Sequence, residues 1–151
     1  MAEHKIINSF VGLTFEYNYR VGEALDKYLD GLQGKKILGV TCPECERVLV
    51  PPRSMCGKCN TKTKKWVTLK PVGTLKNFTV SHVEIEQGEI KDREKPVIIG
   101  QIKLEGADSL LTAKVEGISP KDVKTGLKVK AVFKDATEGT LQDLDHFEPV
   151  K

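Results

Sequence analysis

What is scarce in this chain narrows its chemistry first. Its 151 residues include three histidines, one tryptophan and four cysteines. His4, His82 and His146 are far apart in sequence, and none sits in a motif with a carboxylate or nucleophile at a telling spacing. His82 falls in a predicted strand and reads as a structural histidine. There is no glycine-rich phosphate loop, no Gly-x-Ser-x-Gly elbow and no His-Glu-x-x-His pair. A self-contained enzyme loses its usual sequence signatures this way, although folding can still assemble a site from distant residues. No apolar run approaches the roughly 18 residues of a membrane span. The first five residues, Met1 to Lys5, lack the apolar core of a secretory signal. Aromatics are sparse at 6%.

What is present is an ordinary globular balance, 39% hydrophobic and 30% charged. That suits one domain, or a small domain with appendages. All four cysteines fall in one block: Cys42 and Cys45, ten residues, then Cys56 and Cys59. This C-x2-C-x10-C-x2-C spacing is two thiolate pairs on tight turns, the arrangement of a closed tetrahedral metal site. Such a site is structural, because no position is open to substrate. Zinc is the default metal; a rubredoxin-like iron centre uses the same ligands, and a redox dithiol is the remaining reading. Ligation by all four leaves no free cysteine nucleophile. Reduced paired thiols without a signal peptide lead us to expect a cytoplasmic protein.

Charge is unevenly spread. Residues 36–70 carry 8 basic and 2 acidic side chains, whereas residues 71–151 carry 12 basic and 14 acidic. The positive surplus therefore surrounds the cysteines. Lys58, Lys62, Lys64 and Lys65 could touch phosphates, but a solvated basic face explains them as well. A nucleic-acid surface on the C-terminal half would need aromatic platforms and a basic groove. That half offers only Phe78, Phe133 and Phe147, and is net acidic.

Periodicity supplies the elements. Phe15, Tyr17, Tyr19 and Val21 alternate, which predicts an extended arm. Val21, Leu25, Tyr28, Leu29 and Leu32 recur at helical spacing, predicting a helix over about 22–33 closed by Gly34 in a left-handed cap. Its apolar stripe could pack on its own domain or dock on a partner. Short strands are predicted at 36–40, 47–50 and 65–69, with Pro51-Pro52 stopping the ladder and Trp66 serving as a packing plug. A long strand over 73–85, strands at 97–104 and 110–115, a short helix over 119–126 and a strand at 127–133 follow. Ser119 is its N-cap, Pro120 its first helical residue and Gly126 its end. The polar stretch 87–95 reads as a long hairpin loop. This order is that of a five-stranded OB barrel. The fold class is thus mainly β with an N-terminal helix, a rubredoxin-like zinc ribbon preceding an OB-fold barrel. We divide the chain into an arm and helix (1–35), a ribbon (36–70) and an OB domain (71–151).

The run from Lys36 to Cys59, with Val50-Pro51-Pro52-Arg53 between the knuckles, resembles the zinc ribbon of an acyl-CoA-associated family of ribbon and OB-fold proteins long filed as a domain of unknown function. Trp66-Val67, the strand from Gly73 through Phe78, and the run Gly126 to Phe133 resemble its barrel, and Gly31 to Gly34 resembles the end of its leading helix. The stretch Leu141 to Pro149 departs, being more acidic than the apolar closing strand of many members. The resemblance implies a non-catalytic accessory subunit in a hetero-oligomer with a thiolase-like catalytic subunit. It would act on acyl-CoA through thiolytic cleavage or condensation of β-ketoacyl-CoA. The barrel would border the acyl-CoA site, and the ribbon and helix would dock on the partner. The lack of a spare cysteine agrees, since a thiolase needs a nucleophilic one. Arg53, Lys58 and Lys62 become candidate contacts to coenzyme A phosphates, beside the metal ligands Cys42, Cys45, Cys56 and Cys59. The rival readings are a nucleic-acid-binding ribbon/OB module and a stand-alone acyl-CoA-binding protein.

Overall fold

The computed structural model describes residues 21–86 and 88–150. The predicted arm Phe15 to Tyr19 lies outside them. Helix α1 spans Glu23–Gln33, and strands β1 (Ile37–Thr41), β2 (Val48–Leu49) and β3 (Lys65–Leu69) follow it. They form one antiparallel sheet in the order β2-β1-β3, with β1 pairing all five residues of β3 from Ile37↔Leu69 to Thr41↔Lys65.

The stripe of α1 packs at home. Tyr28 and Leu32 are buried in one apolar cluster with Ile37, Val50 and Leu69 of the ribbon and Leu104 and Ala107 of the barrel. Burial pushes the Tyr28 hydroxyl pKa up to about 12. A Cβ on Gly31 would come within 2.7 Å of Leu38 Cγ, so only glycine lets the helix lie this close to β1. Lys27 adds a cation–π contact, its Nζ 4.8 Å from the Trp66 ring centroid. The helix end differs from expectation. Gly34 has φ −83, and the left-handed turn falls one residue later, at Lys35 (φ 54). There the Lys36 N–H reaches back to the Gly31 carbonyl at 2.8 Å, closing the helix and launching β1 together.

The remaining strands are β4 (Val72–Glu86), β5 (Glu89–Leu104), β6 (Leu111–Val115), β7 (Lys128–Phe133) and β8 (Leu144–Pro149). They close a barrel in the order β4-β5-β6-β8-β7, the five-stranded OB-like barrel expected. Alternation along β5 sends Ile98, Ile102 and Leu104 inward, where they meet Leu75, Leu111, Val115, Val129 and Phe147. The acidic final stretch does form the closing strand. Phe147 is fully buried, and its carbonyl accepts from the Glu116 N–H at 2.8 Å. One inward aromatic fills this seam, and the outward Glu148 pairs with Lys130 on β7 at 2.9 Å.

Two further expectations fail. Residues 89–95 are strand, not loop: β4 and β5 run on past the barrel as a two-stranded arm, turning through Gly88 at φ +86. Charged residues on an arm exposed to water mimic a loop in sequence. The helix over 119–126 is a single turn. Ser119 accepts from the Asp122 and Val123 N–H groups, and its hydroxyl caps the Lys121 N–H. The chain is then captured by β4, through Gly126 N–H to the Leu75 carbonyl at 2.8 Å and Leu75 N–H to the Leu127 carbonyl at 2.9 Å. That pairing stops the helix after one turn.

Candidate metal centre and the cleft beside it

The two Cys-x-x-Cys segments fold as copies of one another. In the first, the Glu46 N–H donates to the Cys42 carbonyl at 3.0 Å and the Cys42 N–H to the Arg47 carbonyl at 3.0 Å. In the second, Asn60 and Cys56 do the same, at 2.8 Å to the Cys56 carbonyl and 2.9 Å to the Thr61 carbonyl. The residue after each second cysteine takes a positive φ, 57 at Glu46 and 52 at Asn60. This curl points both sulfurs of a pair the same way. The β1–β2 hairpin carries the first knuckle, and a bridge between Met55 and Lys62 closes the second.

All four sulfurs lie within 4.8 Å of one another, and none is joined in a disulfide. Cys45 Sγ and Cys56 Sγ, from different knuckles, are 3.8 Å apart. A tetrahedron with metal–sulfur bonds near 2.3 Å has edges of about 3.8 Å, so the donor set fits zinc in size and in chemistry. The Cys59 and Lys58 backbone N–H groups hydrogen-bond the Cys56 sulfur and draw its pKa down to about 6. Cys59 moves the other way, up to about 12, first through its hydrogen bond to Cys45 and then through burial. Crowded sulfurs of this kind ionise together only around a cation. Cys42 and Cys56 are buried while Cys45 and Cys59 are half-buried, so one side of the cluster faces solvent.

Of the three residues singled out as candidate coenzyme A contacts, the fold brings two together. Arg53 and Lys58 line a cleft of about 320 Å³ between the ribbon and the β5–β6 turn, with Cys56, Pro51 and Leu110. Lys62 lines a separate cleft, beside the start of α1 and Trp66. The sequence reading missed Arg47, which joins Arg53 and Lys58. Its place directly after the first knuckle was the available signal. The cleft is held rigid from the barrel side. Asp108 Oδ2 accepts from the Val48 N–H at 2.9 Å, and Arg47 donates to the Asp108 carbonyl at 3.3 Å. The Ser109 hydroxyl accepts from the Val50 N–H at 2.6 Å and donates to the Val50 carbonyl at 2.8 Å. Among the described residues, Arg53 and Lys58 are in no ion pair. Two guanidinium groups and an ammonium on apolar walls can hold an anionic group attached to a less polar body.

The fold and the cluster together define a zinc ribbon joined to an OB-like barrel. Residues 30–63 match the family described as the ChsH2 rubredoxin-like zinc ribbon domain. Residues 66–134 match the ChsH2 C-terminal OB-fold domain. A DUF35 domain-containing scaffold protein of Methanocaldococcus jannaschii is 30% identical over 120 residues, covering 76% of this chain and 82% of that one. The chain belongs to the DUF35 family. Among solved structures, a protein of unknown function from that family in Sulfolobus solfataricus superposes with a TM-score of 0.65 at 25% identity, covering 85% of this chain and 87% of that one. The Ltp2-ChsH2(DUF35) aldolase superposes with a TM-score of 0.63 over 87% of this chain and 98% of that one. At 18% identity that likeness is of fold.

Proposed function

We propose that this chain is a non-catalytic accessory subunit of a thiolase-family complex acting on acyl-CoA. The observation that carries the reading is the convergence of all four cysteines on one cluster. A thiolase-type reaction needs a free cysteine nucleophile, and a chain whose thiols all serve a metal must take that residue from a partner. Family membership supports the same division of labour, since the relative from M. jannaschii is described as a scaffold protein. So does the fold shared with an aldolase assembly. Cys42, Cys45, Cys56 and Cys59 hold a structural Zn2+. The ribbon (36–70) and OB domain (71–151) act as one rigid platform, with the arm and helix (1–35) before them. Docking through α1 uses its polar face, because Tyr28 and Leu32 are occupied internally.

The cleft of Arg47, Arg53 and Lys58 borders the acyl-CoA site and takes coenzyme A phosphates, while Lys62 serves only if the cofactor spans both clefts. Reduced thiols and no helix, among the described residues, long and apolar enough to cross a membrane suit a cytoplasmic complex. Coexpression with a thiolase-family subunit from the same organism tests the reading. The two are expected to copurify, with thiolytic or condensing activity depending on this chain. Arg53→Ala with Lys58→Ala should raise the KM for acyl-CoA about tenfold with kcat little changed. Separate elution together with unchanged activity would sink the proposal.

A further inference from the structure

The β4–β5 arm presents an apolar face to water. Ile85 and Ile90 are 76% and 74% exposed and Val83 is 45% exposed. Ile85 and Ile90 stand directly opposite one another across the hairpin, so their side chains share a face, and Val83, two residues back, lies on it too. The other face is polar: Arg93 pairs with Glu84 at 3.1 Å and donates from Nε to the Val83 carbonyl. Among the described residues, the two strands beyond Ser81↔Val97 pair with each other alone, since β6 meets β5 at 98–102 and β7 meets β4 at 72–74. The arm reaches roughly 20 Å past the barrel at 3.4 Å per residue. A two-stranded hairpin is marginal in water on its own, so a long arm with an isoleucine pair at its end is built to be covered.

Area and charge indicate the cover. Two arms facing each other would bury on the order of a few hundred Å² per chain, below the roughly 800 Å² per partner of a stable interface. A second copy of this chain is therefore a poor occupant. Glu89, Asp92 and Glu94 flank the apolar pair and form no ion pair among the described residues. Lys91 stands opposite Glu84 on the polar face, Arg93 is committed to Glu84, and Lys95 stands nearer the barrel, so that residues 83–95 set five acidic side chains against three basic ones. The rim is therefore acidic.

We propose that the arm, through residues 83–86 and 88–92, is an insertion element that seats Ile85 and Ile90 in an apolar slot rimmed by lysine or arginine on the catalytic subunit. This rests on the accessory-subunit reading above. The test uses the full chain and a thiolase-family subunit from the same organism that copurifies with it, with affinity measured in solution. Ile85→Asp with Ile90→Asp should weaken binding at least tenfold and leave thermal unfolding unchanged, because both side chains are already in water. Ile85→Val with Ile90→Val should bind within threefold of wild type. Glu89→Lys, Asp92→Lys and Glu94→Lys together should also weaken binding, with a loss that shrinks as salt is raised. Full affinity of the Ile85→Asp, Ile90→Asp variant for a subunit that wild type binds would overturn the insertion and leave the accessory reading standing. Wild-type chain that binds no such subunit would overturn both. A dimer of the isolated chain at micromolar concentration, abolished by the same double substitution, would overturn the choice of occupant.

Discussion

The second knuckle and the barrel hold their shapes by different physics. Between residues 51 and 65 only Pro52 and Cys56 are buried. A segment with so little apolar interior cannot offset the entropy of its own ordering, roughly 1–2 kcal/mol per residue. It depends on the cluster, as small metal-bound modules do. The barrel instead buries Leu75, Ile98, Ile102, Leu104, Leu111, Val115, Val129 and Phe147 and has no ligand set of its own among the described residues. One lobe is held at a point and the other throughout a volume. The difference teaches that perturbing one should leave the other's signature visible.

The sharpest way to break that contrast is to remove the cluster. Chelation, or Cys42→Ser, is expected to unfold the ribbon around both knuckles. Apparent Zn2+ binding in zinc-finger peptides is worth roughly 10–16 kcal/mol, comparable to the whole stability of a domain at about 5–15 kcal/mol. Hydrogen exchange should show amides 42–63 losing protection while those of β5 and β7 keep theirs. Binding to the catalytic partner should fall with the ribbon. Barrel amides that deprotect in step would show that the two lobes are one cooperative unit, with the contrast only apparent. The shared cluster from Tyr28 to Ala107 makes that outcome physically meaningful.

The converse perturbation is Phe147→Ala. Its ring is fully buried where β8 closes the barrel. Truncating a buried phenylalanine costs about 3–5 kcal/mol, so the melting temperature should drop by 10 °C or more, on the order of 4–8 °C per kcal/mol for a small domain. Zinc content, measured by a chromophoric chelator, is expected to stay at one ion per chain at temperatures where the barrel has begun to open. Loss of zinc in parallel with the barrel would mean that the ribbon leans on it.

The same contrast explains what could be read from sequence. Cysteine spacing determines a ligand set almost by itself, because four soft donors must meet, and the cluster came out as expected. The left-handed Glu46 was not legible: asparagine favours that conformation and glutamate does not, so only Asn60 advertised its knuckle. Barrel strands were legible where one face is buried, as in Val97–Leu104. Of the arm, the β4 half was legible within the strand expected over 73–85, but the β5 half was not, because residues 89–95 hold a single apolar side chain, Ile90, among charges. Ser119 and Pro120 signalled a helix correctly in local terms, but the pairing of Gly126 and Leu127 with Leu75 is non-local and overrode it. Arg53 and Lys58 share a cleft while Lys62 lines another, because the Asp108–Ser109 turn, hydrogen-bonded to Val48 and Val50, walls one side of the second knuckle and not the other, a contact between residues some 60 apart that no local spacing announces.

The smallest expected effect probes the seam between the lobes. Asp143 is buried, and its carboxylate accepts from the Glu138, Gly139 and Thr140 N–H groups at 3.0, 2.8 and 3.2 Å and from the Thr140 hydroxyl. The loop it organises reaches the end of α1, where the Thr137 hydroxyl donates to the Gln33 carbonyl at 2.9 Å. The Glu138 N–H foremost, with those of Gly139 and Thr140, holds the Asp143 carboxyl below the usual carboxylate range against the opposing effect of burial. A folded-state pKa that is depressed gives stability that is fully present above the unfolded value, near 3.9, and lost as pH falls through the folded one. Asp143→Asn keeps the size but offers one acceptor oxygen and turns an amide donor toward donors. Its deficit in melting temperature should therefore be largest at neutral pH and shrink as pH is lowered from about 5 toward 3. Both proteins shed zinc in acid, so the difference between them isolates the carboxylate. A deficit that stays constant across that range would mean the loop is held by shape rather than charge. Faster exchange at residues 33–36 in the variant, with the knuckle amides unchanged, would place α1 with the barrel as well as with the ribbon. The boundary between a lobe held by a metal and one held by a core would then run through the sheet edge at β2, not through the helix.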